Sequence, residues 1–154
     1  MGELDAFMAF PPEPQQLRAK RIGHVMVNTT IDRPWSHYFC CVIAARQEFA
    51  RTYPVATKRA LHAILKGIDV YALEPARPTR VLVEKALTTN YDYASQAMQE
   101  IPCGKWREYD PKDTVRFYSL RLHEAGIIKS SPQNIIAQGT DWRIFNELKQ
   151  ELKG

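Results

Sequence analysis

Three short apolar runs in the first third of the chain have the length and composition of β-strands. They occupy residues 4–10, 22–28 and 37–44. The first ends at prolines 11, 12 and 14, which lack the N–H that a strand ladder requires. The third is apolar throughout, which is typical of a strand that is buried on both faces of a sheet. Residues 13–21, between the first two runs, predict one or two turns of helix.

From residue 45 onward, the spacing of apolar positions and the residues that typically begin or end a helix predict helices. Asp110 is followed by Pro111 at the first helical position, and Gly126 stands where that helix should end. The candidate N-caps are Thr52, Asp110, Ser131 and Asp141. The helices predicted from these signals span residues 52–73, 76–87, 91–101, 110–126, 131–139 and 141–153. In the last helix the predicted buried stripe consists of Trp142, Phe145, Leu148 and Leu152.

The order of these elements, three strands followed by about six helices, is unusual for a self-contained α/β domain. Strands and helices normally alternate in such domains, and three strands make a poor sheet by themselves. We therefore expect an α/β fold in which the chain is part of a larger protein, with partner strands supplied from elsewhere.

Composition and charge restrict the class of protein further. The 154 residues have a net charge of +4, and lysine and arginine are scattered among acidic residues. A mildly basic chain without a basic stripe does not favour nucleic-acid binding. No apolar run reaches the roughly 20 residues of a membrane span. Glu3 and Asp5 stand where a secretory signal would carry basic residues, so the first residues do not have the pattern of a signal peptide.

Residues capable of catalysis do not form a recognisable motif. The histidines at positions 24, 37, 62 and 123 lack metal-ligand spacing, and the glycines do not form a phosphate-binding loop. Cys40, Cys41 and Cys103 include no Cys-x-x-Cys pair, and neighbouring cysteines on a strand would point to opposite faces. We expect these three to be small buried residues, and we expect no catalytic residue, metal or cofactor.

Two short segments are better candidates for ligand binding. Phe10 and Glu13 lie in the rigid loop "AFPPEP", and "DRPWSHYF" places Trp35, Ser36 and Tyr38 at the entry to the third predicted strand. Aromatic rings with a few polar groups are typical of pocket linings, and ligands of open α/β sheets bind near the carboxyl ends of strands. The alternatives are that Trp35 and Tyr38 pack in a core and that Glu13 is a solvated loop acid.

These stretches, together with "RQEFARTYPVATKR" and "IIKSSPQNIIAQGTDW", make the chain resemble a known family. It resembles the C-terminal portion of periplasmic substrate-binding proteins of ABC transporters. The subgroup is the nitrate, sulfonate and taurine type, which is also described as similar to thiamine-pyrimidine-precursor proteins. The resemblance covers almost the whole chain.

The resemblance implies a type II periplasmic-binding-protein fold with two α/β lobes and a ligand between them. Residues 1–36 would be a remnant of the second lobe with its cleft loop, and residues 37–154 a crossover strand and C-terminal helices. The implied ligand-binding residues are Phe10, Pro11, Glu13, Trp35, Ser36 and Tyr38. The implied function is that of a solute-binding component of an ABC importer, whose partners are a small-molecule ligand and permease subunits. The full-length protein would be periplasmic or lipid-anchored outside the cytoplasm.

Several alternatives remain open. An enzyme of thiamine pyrimidine-precursor synthesis would share the fold, and relatives of that kind carry a cysteine-rich strand thought to handle iron, where this chain has Cys40 and Cys41. An anionic ligand would need a cation such as Arg33, whereas a heterocyclic amine would use Trp35, Tyr38 and Glu13. An isolated half would expose sheet edges, which predicts a homodimer or weak ligand binding.

Overall fold

A computed structural model describes residues 4–153, which contain eight α-helices and two short 3₁₀ turns. The helices are α1 (Glu13–Ala19), α2 (Gln47–Thr52), α3 (Pro54–Leu73), α4 (Ala76–Glu84), α5 (Tyr91–Glu100), α6 (Pro111–Glu124), α7 (Pro132–Gly139) and α8 (Arg143–Glu151). The 3₁₀ turns are Trp35–His37 and Cys103–Arg107. None of these helices is long and apolar enough to cross a membrane.

The predicted α/β fold class is wrong, and so is the expected C-terminal part of a two-lobed type II periplasmic-binding-protein fold, because residues 4–153 form no β-strand. The three runs predicted as strands are mainly irregular and exposed: Met8 is 79%, Met26 76% and Val42 67% accessible. A strand needs a neighbouring strand to pair with its backbone N–H and C=O groups, whereas the backbone hydrogen bonds next to these runs close local turns. One joins Glu13 N to the Phe10 carbonyl oxygen at 2.9 Å. The apolar pattern of a segment does not show whether a partner strand is present.

The lack of strands in residues 4–153 also affects the expected crossover strand and the expected homodimer. Residues 37–44, predicted to be a crossover strand, begin in the 3₁₀ turn and continue as irregular chain. Without strands, the described residues have no sheet edge through which a homodimer could form. The oligomeric state and the division of the chain near residue 36 stay predictions.

The helix boundaries follow local signals, and most of the predicted helices are confirmed. The Asp110 carboxylate accepts hydrogen bonds from the backbone N–H groups of Lys112 and Asp113 at 2.8 and 3.1 Å. The Ser131 hydroxyl accepts from Asn134 N at 3.2 Å. Such side chains satisfy backbone donors that have no partner within the helix, which explains why helix starts were predictable.

The starts of α3 and α8 need correction. Thr52 is the last residue of α2, a helix that the pattern did not predict, and α3 begins at Pro54. Asp141 lies just before α8 and accepts a hydrogen bond from Arg143 N at 3.1 Å. The Arg143 guanidinium also donates to this carboxylate, which lowers the pKa of Asp141 to about 2. An acid at this position is favourable beside the positive end of the helix.

The chain divides into two compact units. The first runs to Asp32 and includes Ile68–Gly104. In it α1 and α4 each pack on α5. Ala94 and Ala97 of α5 are buried, and their short side chains allow neighbouring helices to approach α5 closely. The Gln15 amide donates to the Glu100 carboxylate at 2.8 Å, and Arg18 pairs with the same carboxylate. The hydrogen bond from Arg18 is the main cause of a lowered Glu100 pKa.

The second unit comprises Arg33–Gly67 and Lys105–Gly154. In it α6 packs against α7, and Leu148 of α8 is completely buried. The Lys58 ammonium lies 2.6 Å from a Glu147 carboxylate oxygen and 2.7 Å from one of Glu151, which ties the start of α3 to α8. These ion pairs are partly exposed, so each contributes little to stability, at most about 1 kcal/mol.

Two glycine-to-alanine substitutions should change stability in opposite directions. Gly126 follows α6 with φ +71°, a left-handed conformation in which a Cβ is strained. Gly67 lies inside α3, and a Cβ built there meets no atom within 4 Å. We expect Gly126→Ala to lower the free energy of unfolding by about 1 kcal/mol and Gly67→Ala to raise it by about 0.5–1 kcal/mol. Urea unfolding followed by circular dichroism measures both, and changes of equal sign would contradict this assignment.

Candidate ligand-binding site

The six residues predicted to bind ligand fall into two groups that belong to different units. Phe10, Pro11 and Glu13 lie in the first unit, and Trp35, Ser36 and Tyr38 in the second.

The first group forms the entry to α1. Phe10 and Pro11 are exposed, and the Phe10 carbonyl caps a turn by accepting the Glu13 N–H at 2.9 Å. Glu13 is the first residue of α1, with its side chain exposed. An acid in the first helical turn is favoured by the helix dipole, which accounts for Glu13 without a ligand. Phe10, Pro11 and Glu13 do not line the clefts of about 540 and 370 Å³ that the structure shows in the second unit.

The second group is built around an aromatic stack. Trp35 and Ser36 lie in the 3₁₀ turn and are half-buried, and Tyr38 N donates to the Trp35 carbonyl at 2.9 Å. The Tyr38 ring stacks on Phe117 of α6, with ring centres 4.1 Å apart and planes 14° apart. Tyr118 meets Tyr38 edge-on at 6.3 Å. The turn is thus fixed to α6 by aromatic packing, in agreement with the alternative that Tyr38 serves in packing.

The Arg121 guanidinium of α6 and the Cys40 thiol lie near this stack. The Arg121 guanidinium lies 5.7 Å from the centre of the Phe117 ring and also pairs with Glu124 at 2.8 Å. Burial raises the pKa of the Tyr118 hydroxyl, and the nearby Cys40 and Tyr38 groups raise it further. The Tyr118 hydroxyl therefore stays protonated at neutral pH, and the Arg121 guanidinium beside the stack is accompanied by the Glu124 carboxylate.

Sequence reasoning missed Phe117, Tyr118 and Arg121. They lie in the stretch "RFYSLRLHE", whose helical character was predicted. The adjacent aromatic pair in an otherwise polar helix was an available signal. Its partner could not be identified because Tyr38 is distant in sequence and the contact depends on tertiary packing.

Two cavities of the second unit lie away from the six predicted residues. One, of about 540 Å³, lies at the junction of α2 and α3 and is lined mainly by residues 52–56. The other, of about 370 Å³, lies between the start of α6 and α8, with Lys112, Trp142 and Lys149 among its lining residues. Both are open clefts. Since none of the six residues lines either one, neither cavity supports the predicted pocket.

The cysteines also differ from expectation. Cys40 and Cys41 are exposed, whereas small buried residues were expected, and Cys103 is half-buried. Their sulfur atoms do not point to opposite faces: the Cys40 and Cys41 Sγ atoms lie 3.2 Å apart. In the first unit, burial and the neighbouring Cys103 raise the pKa of the Tyr71 hydroxyl. Within residues 4–153 no three histidine, cysteine, aspartate or glutamate side chains form a group that could hold a metal ion.

Comparison with known proteins finds no matching family model, no matching curated protein and no matching solved structure. The resemblance to substrate-binding proteins consequently stays a prediction from sequence.

Proposed function

We propose that the chain binds a small molecule as the solute-binding component of an ABC importer of the nitrate, sulfonate and taurine type. The sequence resemblance supports the importer role. The observation that carries the binding role is the half-buried turn of Trp35, Ser36 and Tyr38, held against α6 by the Tyr38–Phe117 stack. No catalytic step is required of these residues.

The chemistry of this turn favours a planar ligand. One face of the Tyr38 ring is covered by Phe117, so a ligand ring would stack on the remaining face or on Trp35. The Ser36 hydroxyl can both donate and accept a hydrogen bond. A heterocyclic or aromatic ligand satisfies these groups better than a small inorganic anion. An anion would depend on exposed Arg33 or on Arg121, which is already paired with Glu124.

The experiment is a thermal-shift screen followed by calorimetry, with nitrate, sulfonates including taurine, pyrimidines and aromatic acids as probes. A ligand at 100 times its dissociation constant adds about 2.7 kcal/mol of stability, which raises Tm by roughly 5–10 °C in a chain of this size. Trp35→Leu, which keeps an apolar side chain but removes the indole, should abolish the shift. Phe49→Ala changes an exposed aromatic elsewhere in the chain and should leave it intact.

Two results would contradict the proposal. One is the absence of a shift with every probe. The other is a shift of equal size in the wild type and in Trp35→Leu. Light scattering on the same samples tests the predicted homodimer, and a monomer with micromolar or tighter affinity would overturn the expectation of an incomplete receptor.

The importer role implies partners and a location that the binding experiment does not address. The chain would deliver its ligand to permease subunits and would act outside the cytoplasm. Pull-down with a cognate permease would test the first of these. The enzyme alternative is distinguished by the iron content of protein purified without oxygen, because an iron-dependent synthase would retain the metal and a receptor would not.

A further inference from the structure

Cys40 and Cys41 bring two thiols into contact at an exposed position. Their Sγ atoms lie 3.2 Å apart, in a segment that is neither helix nor strand. The chain bends at Cys40, and as a result the two side chains share one side rather than alternating as they would on a strand. Both residues are exposed at the surface. The proposed ligand-binding role makes no use of this arrangement.

We propose that Cys40 and Cys41 form a redox site that exchanges electrons with small-molecule disulfides, cycling between two thiols and one disulfide between neighbouring residues. In the first step one cysteine thiolate attacks a disulfide such as oxidised glutathione, which gives a mixed disulfide and releases one glutathione thiolate. In the second step the other cysteine attacks the protein sulfur of the mixed disulfide and releases the second glutathione. The two thiols lose two electrons and two protons, and the glutathione disulfide is reduced to two thiols.

The short sulfur–sulfur distance favours the second step. The attacking thiol is already beside the sulfur that it must reach, so the mixed disulfide is resolved within the molecule at a high effective concentration. Closing the ring requires the sulfurs to approach from 3.2 Å to the bonded distance of about 2.05 Å. Rotation about the side-chain torsions of these two exposed residues contributes to this movement.

Reversibility follows from the adjacency of the two residues. Neighbouring Cα atoms are about 3.8 Å apart, which is shorter than the roughly 4.4–6.8 Å usual across a disulfide. The ring is therefore strained, and strained, exposed disulfides are the readily reduced ones. We expect the site to be oxidised by glutathione disulfide and returned to two thiols by excess reduced glutathione, which a structural disulfide would resist.

The test uses the full chain in mixtures of reduced and oxidised glutathione, quenched with acid and alkylated, with intact mass and peptide mapping as readouts. Cys103→Ser is the matched control, because it removes the third thiol and leaves the pair. In the wild type and in Cys103→Ser, Cys40 and Cys41 should become resistant to alkylation together, with the loss of two hydrogen atoms in mass and no glutathione bound at either residue. Addition of reduced glutathione should restore alkylation at both residues. Cys40→Ser and Cys41→Ser should each retain one bound glutathione instead.

Three outcomes would overturn the proposal. They are a glutathione adduct that persists at Cys40 or Cys41, a disulfide that disappears in Cys103→Ser, and a disulfide-linked dimer as the main product. Circular dichroism of each variant confirms that it is folded, so a negative result reports on the thiols. No transported ligand is present in these mixtures, so the result is independent of the importer role.

Discussion

Leu148→Ala should lower the free energy of unfolding by roughly 3–5 kcal/mol. The Leu148 side chain is completely buried in α8 of the second unit. Truncation removes its apolar contacts and leaves a cavity that neighbouring side chains fill only partly. Because whole domains are typically stable by only about 5–15 kcal/mol, this substitution should remove a large fraction of the total.

Leu122→Ala is the matched control for this experiment. Leu122 is the same residue type on a helix of the same unit, but 39% of it is accessible, so its truncation removes less apolar contact and creates no closed cavity. We expect a loss of about 1 kcal/mol or less. Urea unfolding of both variants, followed by circular dichroism, gives the comparison. Equal losses would mean that Leu148 is not part of a close-packed core.

Burial of Leu148 was predictable because it depends on helical spacing in a segment with clear boundaries. The stripe of Trp142, Phe145, Leu148 and Leu152 was predicted from sequence, and Leu148 is the member that is fully buried. The caps Asp110 and Ser131 were predictable for the same reason: a cap bonds to an N–H only two or three residues away. Local chemistry was sufficient wherever the partner lay within one turn.

The strands could not be predicted correctly because a strand is defined by its neighbour. Residues 4–10 have the composition of a strand, but proline follows at once, and the nearest backbone bond is the local turn from Glu13 to Phe10. The apolar pattern was taken as burial, whereas Met8 and Val42 are exposed. Composition indicates that a segment can form a strand when a neighbouring strand is available. It does not indicate whether that neighbouring strand is present.

The candidate site shows the same division. The choice of Trp35, Ser36 and Tyr38 followed from residue type and from their place in the segment "DRPWSHYF", whereas the 3₁₀ turn at Trp35–His37 was not predicted. Its actual partner, Phe117, lies far along the chain and could be found only from the structure. The paired thiols at 40 and 41 were misjudged because the orientation of neighbouring side chains depends on the backbone conformation, which was expected to be a strand.

Phe117→Ala tests whether this aromatic contact fixes the candidate site. We expect the free energy of unfolding to fall by about 2–3 kcal/mol, less than for a fully buried phenylalanine because Phe117 is half-buried. The Tyr38 ring would lose the surface on which it stacks, and the Arg121 guanidinium would lose the ring beside it. Near-ultraviolet circular dichroism should show a weaker tyrosine signal.

A double-mutant cycle separates the stack from the general loss of burial. Tyr38→Ala, Phe117→Ala and the double variant should give a coupling energy of about 0.5–1.5 kcal/mol, the usual range for aromatic pairs. Phe49 and Tyr53 form a comparison pair: their ring centres are 5.3 Å apart, their ring planes are tilted by 45°, and both side chains are exposed, so their coupling should be smaller, about 0.5 kcal/mol or less. If the Tyr38–Phe117 coupling is close to zero, the Tyr38 ring is not held by Phe117, and the turn at residues 35–38 loses its support as a preorganised ligand surface. If only the Tyr38–Phe117 pair couples, weakened ligand binding by Phe117→Ala would reflect a loosened turn, because Phe117 covers the face of Tyr38 opposite to the one proposed for the ligand.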